Sequence, residues 1–167
     1  LKNKKIAELS DSIVFTHNGI SGPGALNSSS FITDKPLSEI KVTIDFLPAI
    51  SFDNFIEIIK SPDKQKLTTR ISRYLPKELV KNILMYDVIS RKSFEKYRNH
   101  DSFPEHEVMN MKKNQINDIA ESFKNFELKL TGYGGLNEAI VTRGGIDIKE
   151  INPRTLNLKK HPGIFVA

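Results

Sequence analysis

The feature that most restricts the fold of this 167-residue chain is a change of hydrophobic period, from two to about 3.6 at Ser51 and back to two at Phe126. Before the first switch, Ile40, Val42, Ile44 and Phe46 alternate with polar neighbours, which predicts a half-buried strand over 40–46. Residues 12–16 read as a second strand and 6–9 as a weaker one. Between them and 40–46, residues 22–31 predict a short helix that Ser21 can cap. After the switch, Ser51 is placed to cap a helix carrying Phe52, Phe55, Ile56 and Ile59. Ser61-Pro62-Asp63 breaks it and opens another toward Leu67, Ile71 and Leu75. Pro76 stands in the first turn of a third helix, with Leu79, Val80, Ile83, Leu84 and Val88 on one face. A polar stretch over 99–104 then leads into a long helix reaching about Asn125, marked by Ile116, Ile119, Ala120 and Phe123. Strands resume over 126–130, 139–142, 146–148 and 163–167. Strands on both sides of a helical block predict an α+β chain, in which a small helical domain is inserted into a β domain.

Composition narrows the class. Hydrophobic residues at 38% and charged ones at 27% suit a folded, soluble protein. No run of about eighteen apolar residues and no signal-type leader is visible, so no membrane partner is expected. The chain has no cysteine, which excludes disulfides and thiolate metal sites and fits a cytoplasmic setting. Its start at Leu1 and its finish in an apolar run read as a piece of a longer protein. The net charge of +5 reads first as a solvated surface, because the lysines are spread along helices rather than blocked together. The alternative is that the basic helical block binds nucleic acid or a protein, through a face of Lys64, Lys66, Arg70, Arg73, Lys77 and Lys81.

Two glycine-rich runs carry what chemistry can be read. In FTHNGISGPG the expected strand closes at Thr16-His17, Asn18-Gly19 supplies a turn, and Ser21-Gly22 opens a helix whose first amides lack internal partners. Such a helix end favours an anionic or carbonyl oxygen, although an ordinary strand-turn-helix connection uses the same residues. In EAIVTRGGI a buried strand ends at Thr142-Arg143-Gly144-Gly145, where backbone without Cβ atoms can pass close to a flat ligand. Neither run is a phosphate loop or a dinucleotide fingerprint. His100 and His106 among Asp101, Glu105 and Glu107 lack metal-ligand spacing, so no metal site is assigned. Asp45 and Glu138 do not make an evident acid/base pair.

Taken together, FTHNGISGPGAL at 15–26, IDFLP at 44–48 and EAIVTRGGIDIKEINPRTLNLKKHPGIFVA at 138–167 resemble the bacterial BaiN/YhiN-type flavoproteins, NAD(FAD)-utilising and aminoacetone-oxidase-like enzymes. The resemblance covers both ends of the chain in order, departs from the family pattern at Asn157-Leu158, and says little about the middle. It implies a β-barrel-like domain, partial here, over 1–50 and 126–145, an inserted helical domain over 51–125, and a segment over 146–167 returning to an FAD-binding domain of the same polypeptide. The implied activity is that of an FAD-dependent oxidoreductase, with NAD(P)H as reductant and a small-molecule substrate, and the fragment alone is expected to be inactive. Thr16, Gly19, Ser21, Gly22, Thr142, Gly144 and Gly145 would lie near the cofactor. His17 would be a polar or proton-handling group, with a purely structural histidine as the other reading. The helical domain would act as a lid.

Overall fold

The computed structural model describes residues 4–33, 35–63, 65–135, 137, 139–140 and 145–166. Contacts divide the chain into a hairpin unit, Leu1–Leu37 with Thr131–Ala167, and a helical unit, Ser38–Leu130.

In the hairpin unit, β1 (Val14–Thr16) and β2 (Gly19–Ser21) pair antiparallel, with Val14 opposite Ser21 and Thr16 opposite Gly19. The short helix α1 (Pro23–Ser29) follows. The expected strand-turn-helix is therefore a hairpin and then a helix, and Ser21 ends a strand instead of capping α1. Gly22 takes the cap position at φ 87°, a left-handed conformation that breaks the strand, and Pro23 then starts the helix. Three other expected strands are not formed. Residues 6–9 have no regular structure. Ile148–Glu150 is a 3-10 turn, because the Asp147 carboxylate accepts the Lys149 amide at 2.9 Å and closes it. Near the end, only isolated bridges join Ile151 to Leu158 and Asn157 to Phe165, and Phe165 is 66% exposed. The expected strand over 139–142 falls partly on 141–142, outside the described residues. Among the described residues of this unit only Gly24 is buried.

The helical unit holds the core. A ribbon of β3 (Lys41–Ile44) and, at the far end of the unit, β4 (Phe126–Lys129) runs antiparallel with Ile44 opposite Phe126. The two described ribbons, β1-β2 and β3-β4, are separate two-stranded sheets, and neither closes into a barrel. Between β3 and β4 come α2 (Phe52–Lys60), α3 (Leu67–Ile71), α4 (Lys77–Ser90), 3-10 turns at Lys92–Tyr97 and Glu105–Asn110, and α5 (Lys113–Lys124). Ser51 caps α2 as expected, its Oγ accepting the Asn54 amide at 3.2 Å. The periodic residues Phe55, Ile59, Leu67, Ile71, Val80, Leu84, Val88, Ile119 and Phe123 are fully buried together. Phe55 packs edge-on against Phe123 at 5.5 Å, and Phe46 meets Phe126 at 5.6 Å, so the ribbon leans on the helices through aromatic rings. The last helix is shorter than its expected span. Residues 91–111 instead form tight turns that bury Phe94, Tyr97, Phe103, Val108 and Met111, and α5 begins where the Gln115 Oε1 folds back on the Lys112 amide at 3.0 Å. Among the described residues no helix is long and apolar enough to cross a membrane.

Two buried charges and one half-buried lysine lock these helices. Arg70, 4% exposed, donates through Nη1 to the carbonyls of Ile58, Ile59 and Ser61 at 2.8–3.0 Å and through Nε and Nη2 to Gln65 O, with Asp63 at 3.4 Å. It thereby satisfies the end of α2 and fixes the connection to α3. Lys124 at the end of α5 donates to Leu47 O at 2.7 Å and Ile50 O at 2.6 Å and pairs with Asp45 at 2.6 Å. Asp87 on α4 is fully buried, accepts from Arg91 Nε at 2.7 Å and from the Ser122 hydroxyl, and leaves its Oδ2 unpartnered. Burial raises its pKa from 3.8 to about 6 against the opposing pull of Ser122 and Arg91.

Replacing Arg70 by Met is expected to cost about 3 kcal/mol or more in urea unfolding, since four carbonyls lose their donor. A loss below about 1 kcal/mol would show that water takes over those carbonyls easily. For Asp87 the folded pKa lies above the unfolded one, so the folded state holds more protons between them. Stability is therefore greatest below pH 3.8, falls through the window up to about 6, and carries a penalty of roughly 3 kcal/mol above it. Asp87→Asn should flatten this fall in unfolding curves measured from pH 4 to 7; an unchanged slope would assign it to other groups.

Candidate functional site

The hairpin collects five of the expected site residues in one short segment. His17 and Asn18 form its two-residue turn, and His17 is exposed. The Thr16 hydroxyl donates to Gly19 O at 3.2 Å, tying the strands beside that turn. Ser21 is half-buried at the end of β2 and Gly22 follows. A Cβ on Gly22 would stand 3.1 Å from Val14 N and 3.2 Å from Ser12 O, and one on Gly24 would stand 3.0 Å from Ser12 O. These two glycines are thus required by packing inside the unit. Gly19 and Gly145 differ, because among the described residues no atom lies within 4 Å of a Cβ built at either. Thr142 and Gly144 lie outside the described residues, as does Glu138.

The amides of α1 do not make an anion site. The helix has seven residues, its first position is Pro23 with no N–H, and the Gly24 amide is bound to Ser12 O at 2.9 Å. The expected positive helix end is thereby occupied by the chain itself. What remains open in this segment is the backbone at Gly19 and the imidazole of His17, and a Cβ meets open space equally at Gly132, Gly135, Gly145 and Gly163. The described residues offer a cofactor no cradle for a pyrophosphate.

In the helical unit the structure revises the basic face. Arg70 points inward to carbonyls and Lys81 pairs with Glu78 at 2.7 Å. Lys64 lies outside the described residues. Lys66, Arg73 and Lys77 stay exposed, and Arg73 Nη2 donates to the neutral Gln65 Oε1 at 2.6 Å. Beside them a cavity of about 420 Å³ is lined by Gln65, Lys66, Ser102, Phe103, Glu105 and His106. Its Glu105 carboxylate accepts the Thr68 amide at 3.2–3.3 Å and the Thr68 hydroxyl, holding the start of α3. Asp45 accepts the Leu47 amide at 2.8 Å and pairs with Lys124, a structural task. His100 stacks edge-on with Tyr97 at 5.7 Å. The tasks of Arg70 and Glu105 leave no periodic signal, since the one serves carbonyls at the end of the preceding helix and the other an amide 37 residues away.

A family described as HI0933-like protein barrel and H2TH domain matches residues 1–141, most of the chain. The chain belongs to this family. HI0933-like proteins fall within the flavoprotein, FAD-dependent oxidoreductase superfamily, so the flavoprotein relationship expected from the motifs holds at that level. Two curated relatives are similar across nearly the whole chain. One, from Escherichia coli (strain K12), is named ribosomal RNA dihydrouridine synthase and is 26% identical over 156 residues, 93% of this chain and 34% of its own length. The other bears the same name, comes from Haemophilus influenzae, and is 28% identical over 154 residues, 92% of this chain and 34% of its own. The HI0933-like chain thus spans about a third of the length of the curated relatives it matches.

Gly22→Ala should loosen the hairpin unit by about 1–3 kcal/mol, through the positive φ and the contacts with Val14 and Ser12. Amide exchange reads this directly at Leu26, whose N–H bonds to Gly22 O at 3.0 Å. Exchange there should quicken in Gly22→Ala and stay unchanged in Gly132→Ala, where a Cβ meets open space. Equal behaviour of the two variants would remove the packing role of Gly22.

Proposed function

We propose that this chain is the substrate-side portion of an FAD-dependent oxidoreductase of the BaiN/YhiN kind that reduces uridine in ribosomal RNA to dihydrouridine. The observation that carries the reading is the similarity to two relatives, each named for that activity, over more than nine-tenths of this chain. The reaction adds one hydride and one proton across the carbon-carbon double bond of the uracil ring. FAD, when bound, supplies the hydride, and NAD(P)H is the source of electrons. The FAD domain of the same polypeptide holds the cofactor's pyrophosphate, consistent with the absence of a phosphate loop or dinucleotide fingerprint in this sequence. Thr16, Gly19, Ser21, Gly22 and Gly145 form the edge turned toward the flavin and the uracil. His17, exposed on its turn, handles a proton there, since an imidazole both donates and accepts near neutral pH. A small-molecule substrate, which the motif resemblance implies, is set aside because both relatives are named for RNA.

The test is anaerobic incubation of the full-length flavin-loaded protein with NADPH and protein-free ribosomal RNA, followed by digestion and nucleoside mass spectrometry. A uridine product heavier by two hydrogens is expected, and His17→Asn should lower its rate about 100-fold while the flavin absorbance is kept. A flavin-bearing protein that oxidises NADPH without changing RNA would overturn the RNA reading. A protein purified colourless and unable to take up FAD would overturn the flavin reading.

A further inference from the structure

Of the four tyrosines in the chain, three have evident structural partners. Tyr97 is buried and stacks with Phe94 at 6.3 Å, Tyr86 lies against Phe126 at 5.4 Å, and the Tyr133 hydroxyl donates to Ile32 O at 3.0 Å. Tyr74 is 50% exposed, and among the described residues it has neither a ring neighbour nor a hydrogen bond from its hydroxyl. It sits in the turn joining α3 to α4, between Arg73 and Lys77, and with Arg73 it borders a hollow of about 90 Å³ also lined by Ile58, Ser61, Asp63 and Arg70. The Arg73 guanidinium is held by the Gln65 side chain.

The charges there are unbalanced for a reason visible in the packing. Asp63 faces the inward Arg70 at 3.4 Å, and Glu78 pairs with Lys81 at 2.7 Å. These two carboxylates are thus engaged, Glu105 stands beside Lys66 in the neighbouring cavity, and among the described residues Arg73 and Lys77 make no ion pair. Arg73 has a neutral partner, so its position is fixed while its charge stays uncompensated. The turn itself is rigid: Tyr74 N bonds to Ile71 O at 2.9 Å, and Leu67 and Ile71 on one side and Val80 on the other are fully buried.

We infer that Tyr74, with Arg73 and Lys77, is a docking surface for a single-stranded segment of RNA. An exposed aromatic face takes an unstacked base, and fixed cations around it take the flanking phosphates, which is the combination single-stranded nucleic acids require. A protein partner would be served as well by the aromatic ring but has less use for the two cations, Arg73 and Lys77, that flank it. This surface rests on the reading that RNA is the substrate, and it adds where the helical unit grips RNA away from the reacting uracil.

The test is fluorescence anisotropy of the full chain with a labelled oligouridylate of about twelve nucleotides, titrated at several salt concentrations. Tyr74→Ala should weaken binding about tenfold or more, while Tyr74→Phe, which keeps the ring, stays within about twofold of the parent. Arg73→Gln and Lys77→Gln should each reduce the salt slope by about 0.7. Lys129→Gln, on the far strand of the ribbon, should leave both quantities unchanged. If the parent binds the oligonucleotide and Tyr74→Ala and Arg73→Gln bind equally well, the surface is wrong and the RNA reading stands. If the parent binds neither the oligonucleotide nor ribosomal RNA at low salt, both fall. Circular dichroism of each variant identifies one that has lost its fold, and the salt slope of the others then decides.

Discussion

The helical unit depends on a single guanidinium. Arg70 is almost fully enclosed, yet its partners are carbonyl oxygens at the end of α2 and in the connection after it, with one partly exposed carboxylate at the edge. A buried cation is tolerated because its donors are all used and because the last carbonyls of a helix present partial negative charge. The result is a corner between α2 and α3 that needs no glycine. It sets the angle at which Leu67 and Ile71 enter the core and directs the following turn, with Arg73 and Tyr74, outward. The same residue type serves two opposite ends within three positions: Arg70 builds the corner and Arg73 stands on it.

Asp87 and Lys124 repeat the principle at lower exposure to solvent than a surface ion pair would have. Ser122 on α5 bonds to Asp87 on α4, while Arg91 reaches both Ser122, at 2.8 Å, and Asp118, at 3.2 Å. The helices are therefore joined by a polar seam beside their apolar one. An apolar contact alone permits small slides between helices, whereas a hydrogen-bonded seam of this kind permits one register. Its cost is visible in the unpartnered Asp87 oxygen, and that cost is what makes the unit sensitive to pH. Lys124 does for the ribbon what Asp87 does for the helices, fastening the chain between β3 and α2 to the end of α5.

How much of this could be read beforehand follows from the range of each interaction along the chain. The apolar spacing located α2, α4 and the second half of α5, because a buried helical face is written in neighbours three and four apart. Ser51 was readable as a cap for the same reason. The segment over 91–111 was not, since 3-10 turns around Phe94, Tyr97 and Phe103 have no period long enough to register. The second strand of the hairpin, Gly-Ile-Ser, is likewise too short to alternate, so a turn and a helix cap seemed to account for it. At the candidate site, the crowding of glycines marked the right segment but not the reason for each one. Gly22 and Gly24 answer to Val14 and Ser12, a contact that forms only once the hairpin has folded back. Among the basic residues, sequence could count cations but could not separate Arg70, which is consumed internally, from Arg73, which is not.

The burial pattern also says something about how the two units divide their work. Every member of the large apolar cluster belongs to the helical unit, from Leu47 to Phe123. The hairpin unit leaves Ile6, Val14, Phe15, Phe31, Ile148 and Phe165 more than two-fifths exposed and relies on turns and backbone bonds for its shape. A segment held this way opens locally at low cost, while a segment set in a packed core does not. The exposed imidazole of His17 and the backbone at Gly19 therefore sit in the more loosely held unit. Tyr74, Arg73 and Lys77 sit on the opposite kind of support, a corner fixed by Arg70 and by fully buried aliphatic side chains. Recognition of a long polymer gains from such rigidity, because each contact then loses little conformational entropy on binding. Chemistry on one ring gains more from adaptability. The distribution of apolar residues between the two periodic regimes of the sequence thus yields one unit set in a packed core and one held mainly by turns and backbone bonds.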